Sequence, residues 1–135
     1  MSNLTLEIKG LIVDYGIVRA LKGVDIKVGQ GQVVAILGAN GAGKSTLIKS
    51  VAGLAKASGG KIILNGKEIQ GLRPYEINNQ GVSLSPEGRS ILSDLTVEEN
   101  LLVGAYTIKS KSLINQKLKE VYEYFPILEE RKKQI

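Results

Sequence analysis

Short alternations of apolar and polar positions open the chain, and Leu4 to Ile8, Leu11 to Tyr15 and Val24 to Val28 each read as a strand with one face on a core. Val33 to Leu37 differs. The run "VVAIL" is apolar throughout and mostly β-branched, which predicts a strand covered on both faces in a parallel sheet. Helical spacing follows, with Leu47, Ile48, Val51 and Leu54 on one face and Gly53 near the end. Beyond Ser58-Gly59-Gly60, "KIIL" and "KEI" flank Asn65-Gly66, a dipeptide that tolerates positive φ at both positions and so predicts a tight hairpin. Pro74 opens a short helix to about Asn79, and "VSLS" (Val82 to Ser85) is a further strand candidate before a Pro-Gly loop. Thr96-Val97-Glu98-Glu99 matches a capping box at the head of a helix reaching about Tyr106. Ile114, Leu118, Val121, Tyr122 and Phe125 share one face of a second helix that Pro126 stops, and "ILEERKKQI" keeps a helical pattern. There is no internal repeat and no low-complexity linker. The order is α/β, with a β-rich start.

Composition narrows the chemistry. At 135 residues and 43% apolar content, one domain with its own core is expected. The net charge of +5 comes from Lys and Arg spread along the chain, and only 4% of residues are aromatic, so a solvated basic surface is expected rather than a nucleic-acid partner. Absence of Cys and His excludes thiolate and imidazole chemistry. No apolar run approaches ~18 residues and the first residues lack the charged-then-apolar layout of a leader, so a soluble, unexported chain is expected.

The chemical signal lies at the end of "VVAIL", where "GANGAGKST" places Gly38-x4-Gly43-Lys44-Ser45 between an apolar strand and an amphipathic helix. Glycines let the backbone curl so that amides from Gly38, Ala39, Asn40, Gly41, Ala42 and Gly43 converge on phosphate oxygens. The helix that starts near Lys44, Ser45 and Thr46 adds about half a positive charge at its N-terminus. The Lys44 ammonium, the catalytic candidate, reaches the outer phosphates, and the Ser45 hydroxyl is the candidate Mg²⁺ ligand. The competing reading is a glycine-rich turn without a ligand, which has no need of these residues at these offsets. Such a loop is shared by GTPases, nucleotide kinases, motor ATPases and transporter ATPases.

The surroundings choose among them. "VDYGIVRALKGVDIKVGQGQVVAILGANGAGKSTLIKSVAGL", "SGGKIILNGKEI" and "SPEGRSILSDLTVEENLLVGAY" together resemble the ATP-binding subunit of an ABC transporter, over essentially the whole chain. "PEGR", "TVEENL" and "VYEYFPILEERKKQ" are most similar to the smaller ATP-binding subunit of bacterial branched-chain amino acid importers, with urea importers as the alternative. The resemblance implies a P-loop NTPase fold of the ABC ATPase type that binds ATP and Mg²⁺ and works against a second ATP-binding subunit, from the cytoplasmic face of the membrane. It implies that Tyr15 stacks on the adenine, that Glu87 stands at the metal where most of the family has glutamine, and that residues around 85–106 meet the membrane-spanning subunits. It divides the chain into an ATP-binding core part (1–84), the loop region at 85–95 and the start of the helical subdomain (96–135). An ionised Glu87 can coordinate a cation but cannot donate a hydrogen bond, so the sensing part of the family role does not transfer with it.

Three family parts are not found beyond the loop: an apolar strand ending in Asp-Glu, an "LSGGQ"-like clamp and a switch histidine. "LIVD", ending at Asp14, reads as a strand leading to Tyr15, and "ASGGK" at 57–61 reads as a turn. The chain therefore resembles the N-terminal part of a longer protein and is expected to turn ATP over little or not at all. A self-sufficient kinase or GTPase is the alternative enzyme, although no Asn-Lys-x-Asp guanine signature is present; a non-enzymatic module gripping a membrane partner is the other. In the resembling family "VVAIL" is flanked by later strands. The 135-residue chain by itself is thus expected to be marginally stable or to associate, seen as a thermal transition that is broad or shifts with protein concentration.

Overall fold

The computed structural model describes residues 4–88 and 90–135, so Arg89 of "PEGR" lies outside the described residues. The chain forms two compact units, which meet in sequence between Leu84 and Ser85.

In the first unit, β1 (Leu4–Tyr15) and β2 (Val18–Gly29) form a long antiparallel hairpin. The two strands expected at Leu4 to Ile8 and Leu11 to Tyr15 are one. The physical reason is a bulge: buried Ile8 and Leu11 are three positions apart, which a period of two cannot place on one face. Gly10, at φ 54°, absorbs the extra residue, and its amide donates to Asp25 Oδ1 at 2.8 Å. A matching slip occurs in β2, where Gly23 at φ 95° separates Leu21 from Val24.

β3 (Gly59–Leu64) pairs with β1, and β4 (Lys67–Glu68) with β3, giving the sheet order β2-β1-β3-β4. Asn65 and Gly66 both take positive φ, 47° and 81°, as the hairpin reading requires. Ile8, Leu11, Val13, Leu21, Ile62 and Leu64 bury one sheet face against Leu47, Ile69 and Ile77. Leu47 comes from α1 (Lys44–Val51) and Ile77 from α2 (Pro74–Asn78). Helix α1 closes on Gly53 (φ 76°), with Gly53 N donating to Ser50 O and Leu54 N to Lys49 O, which satisfies two of its last carbonyls.

Two expected strands do not form. Residues 33–37 and 82–85 carry no ladder, because among the described residues no strand lies beside either of them. Val33 and Leu37 are 98% and 90% exposed instead of doubly covered, while Ile36 and Val82 still pack on the core. An apolar groove of about 180 Å³ lies open between these segments, lined by Ile26, Val34, Ile36, Ile48, Val51 and Leu84. For the same reason Ile48 is exposed, and Leu54, beyond the helix stop, is exposed too.

The second unit holds α3 (Val97–Val103), α4 (Lys111–Tyr124) and α5 (Pro126–Glu130). The capping box forms as predicted: Thr96 N donates to Glu99 Oε2 at 2.8 Å, and Glu99 N to Thr96 Oγ1 at 3.3 Å. Two further amides at this helix start, Val97 N and Glu98 N, donate to the carbonyls of Gln134 and Lys132. The final segment is thus helical only to Glu130, and its last residues cap α3 rather than extend α5. Tyr122 is buried and Ile114, Leu118 and Val121 half-buried on the expected face, whereas Phe125 is exposed because the chain leaves helical geometry there, at φ −132°.

Gly60 sits where a Cβ would come within 2.3 Å of the Gly10 carbonyl oxygen, at φ +82°, whereas Gly66 faces open space. Gly60→Ala is expected to cost ~2 kcal/mol or more and Gly66→Ala only ~1 kcal/mol, compared by the fall in Tm. The bonds from Thr96 hold the Glu99 carboxyl below its ordinary value of 4.5. The cap's contribution is therefore complete above pH 4.5 and lost as pH falls through the lower folded value. A stability profile that declines below this pH, and less steeply in Thr96→Ala, checks it.

Candidate functional site

Leu47 N donates to Gly43 O at 2.9 Å, the first bond of α1, so the amides of Lys44, Ser45 and Thr46 precede the intrahelical ladder. Gly43 is the N-cap residue and offers no side chain to them, and the first turn carries no acidic residue to repel an anion. The loop before it is a curled segment: Ala42 N donates to Ala39 O at 3.1 Å, with Gly41 at φ 84° inside that turn. Each glycine has its own reason. Gly41 supplies the left-handed backbone; a Cβ on Gly38 would lie 3.1 Å from the Ala42 Cβ; one on Gly43 would lie 2.7 Å from Leu21 Cδ2 and 2.8 Å from the Ala20 carbonyl oxygen.

The Lys44 side chain arches back over this loop. Its Nζ donates to Gly38 O at 2.6 Å and to Ala39 O at 2.7 Å. Two neutral carbonyls are weaker partners for an ammonium than an anionic oxygen, so an anion entering the loop can draw the Lys44 head to itself. A helix N-terminus with an ammonium beside it is an arrangement that can receive an anion.

Tyr15 ends β1, 52% exposed, and pairs with Val18 across the turn. Leu21, on which Gly43 packs, pairs with Val13, two residues before Tyr15 or roughly 7 Å along the strand. The fold thus brings Tyr15 and the loop 38–46 to the same end of the β1/β2 hairpin. Ser45 is the second residue of α1, while Glu87 belongs to the second unit, exposed in a loop. Among the described residues no cluster of three His, Cys, Asp or Glu side chains could hold a metal ion alone.

Two features of this site carry no mark in the sequence. One is the seat for Gly43 on Ala20 and Leu21. The other is Asp14, read from sequence as an ordinary strand end, whose Oδ1 accepts from Arg19 Nε at 2.9 Å and whose Oδ2 accepts from Ser58 Oγ at 2.7 Å. These bonds, Arg19 first and Ser58 second, hold its carboxyl below the usual aspartate value. Ser58 is 44 positions away, and no local pattern predicts such a pairing.

The ABC transporter family matches residues 21–135. The high-affinity branched-chain amino acid transport ATP-binding protein BraG of Pseudomonas aeruginosa is 41% identical over 120 residues, covering 89% of this chain and 51% of that protein. The xylose/arabinose import ATP-binding protein XylG of Sulfolobus acidocaldarius is 36% identical over 117 residues, covering 87% of this chain and 46% of that protein. A crystal structure of a nucleotide-free ATP-binding cassette from an ABC transporter superposes with a TM-score of 0.81 at 27% identity, covering 97% of this chain and 57% of that one. No helix among the described residues is long and apolar enough to cross a membrane. The chain spans about half the length of these relatives, and with its loop, hairpin and helices it belongs to the ABC transporter family of ATP-binding proteins.

Proposed function

We propose that this chain is the nucleotide-binding part of an importer ATPase, which as a whole couples ATP binding and hydrolysis to uptake of branched-chain amino acids. The curled loop at the head of α1, with Lys44 Nζ parked on its carbonyls, carries the ATP-binding reading. The BraG likeness supports the amino-acid assignment, and the sugar-importer relative marks the alternative solute class.

A triphosphate supplies the anionic oxygens that this loop is shaped to receive. Gly38, Gly41 and Gly43 give the loop its curl and its seat on the sheet, the amides of Lys44, Ser45 and Thr46 donate toward the phosphates, and the Lys44 ammonium exchanges two carbonyls for the outer ones. Tyr15 offers an exposed ring for the base. The Ser45 hydroxyl and the Glu87 carboxylate are each hard oxygen donors of the kind Mg²⁺ takes. In the whole protein, residues around 85–106 meet the membrane-spanning subunits and a second ATP-binding subunit completes the hydrolytic site, with the assembly at the inner face of the membrane. This chain alone binds nucleotide weakly and turns over negligibly.

Isothermal titration with Mg-ATP tests the reading. Lys44→Ala is expected to lose about tenfold or more in affinity, the size of one charge-assisted contact, with the fold unchanged by circular dichroism. Equal binding by both proteins removes the loop assignment, and a preference for GTP over ATP supports a GTPase instead.

A further inference from the structure

The tip of the β1/β2 hairpin outruns the sheet. β3 begins at Gly59, opposite Ile12, so among the described residues only β2 lies beside β1 beyond Ile12. The turn makes no core contact, with Ile17 fully exposed. A two-stranded ribbon of this kind twists and is only marginally held by its own ladder. Tyr15 sits on that ribbon.

One side chain ties it down on two sides. Asp14 Oδ1 accepts from Arg19 Nε at 2.9 Å, which joins β1 to β2 past the last β3 pair. Asp14 Oδ2 accepts from Ser58 Oγ at 2.7 Å, which joins the tip to the residue before β3. Ser58 is itself anchored, its amide donating to Ile12 O at 2.8 Å. We propose that Asp14 is a positioning residue for nucleotide binding, clamping the hairpin tip to β2 and to Ser58 so that the Tyr15 ring is held ready for the base. The proposal rests on the reading of Tyr15 as the stacking residue.

Exposed ion pairs add little to stability, so the clamp sets where the tip lies rather than whether the unit folds. Its signature is selective: it affects a ligand that has a base and leaves one that is only phosphate untouched. Affinities for ATP and for inorganic tripolyphosphate, measured by isothermal titration on the whole chain, separate these. Asp14→Ala is expected to weaken ATP about threefold to tenfold, the range of one aromatic stack, with tripolyphosphate unchanged. Arg19→Gln is expected to act in the same direction with a smaller loss, and it carries the test should Asp14→Ala fail to fold. Unchanged ATP affinity in these variants, or equal losses for both ligands, overturns the clamp. Tyr15→Ala distinguishes the two levels. If it abolishes the preference for ATP over tripolyphosphate while Asp14→Ala keeps it, only the clamp is wrong; if it leaves the preference intact, the stacking reading falls and takes the clamp with it.

Discussion

The seating of Gly43 against Ala20 and Leu21 is the contact on which the site depends. A single added carbon there would stand 2.8 Å from a backbone oxygen, so the loop can reach the sheet only with no side chain at this position. The same residue is the N-cap of α1, so the approach sets where the helix begins. Leu47, one turn on, then buries against the sheet face that holds Val13 and Leu21. The head of α1 and part of the apolar core are thus held by one short segment.

The bulges at Gly10 and Gly23 serve the same end. Without them the apolar side chains before and after each glycine would face opposite sides of the sheet, and Val13 and Leu21 would not share the core face with Ile8 and Leu11. The crossing of Gly60 over the Gly10 carbonyl brings β3 in at that irregular point. Beyond it the hairpin continues as a ribbon that carries Tyr15, with polar bonds in place of a neighbouring strand.

The second unit solves a different problem, that of ending short helices. Thr96 and Glu99 satisfy one pair of groups at the head of α3, and the carbonyls of Lys132 and Gln134 satisfy another. Asn100 secures the preceding loop, accepting from Leu92 N at 2.8 Å and donating to Leu92 O and Leu95 O. With few fully buried side chains, these polar contacts carry much of its order.

Local signals were legible in the chain itself. The phosphate-loop spacing, the Asn65-Gly66 hairpin, the capping box, the Gly53 stop and Pro126 each act within a few residues through φ preference or a nearby hydrogen bond, so they hold whatever lies around them. The family likeness was legible too, because its strings are contiguous. What the tertiary structure decided is everything that needs a distant partner: "VVAIL" and "VSLS" had strand-like patterns but have no ladder beside them among the described residues, and Ile48 is exposed with them. The Asp14 to Ser58 bond, the Gly43 seat and the use of the last residues as a cap for α3 belong to the same class. A pattern states which face of a segment is apolar, but only the neighbours present in space determine whether that face is covered.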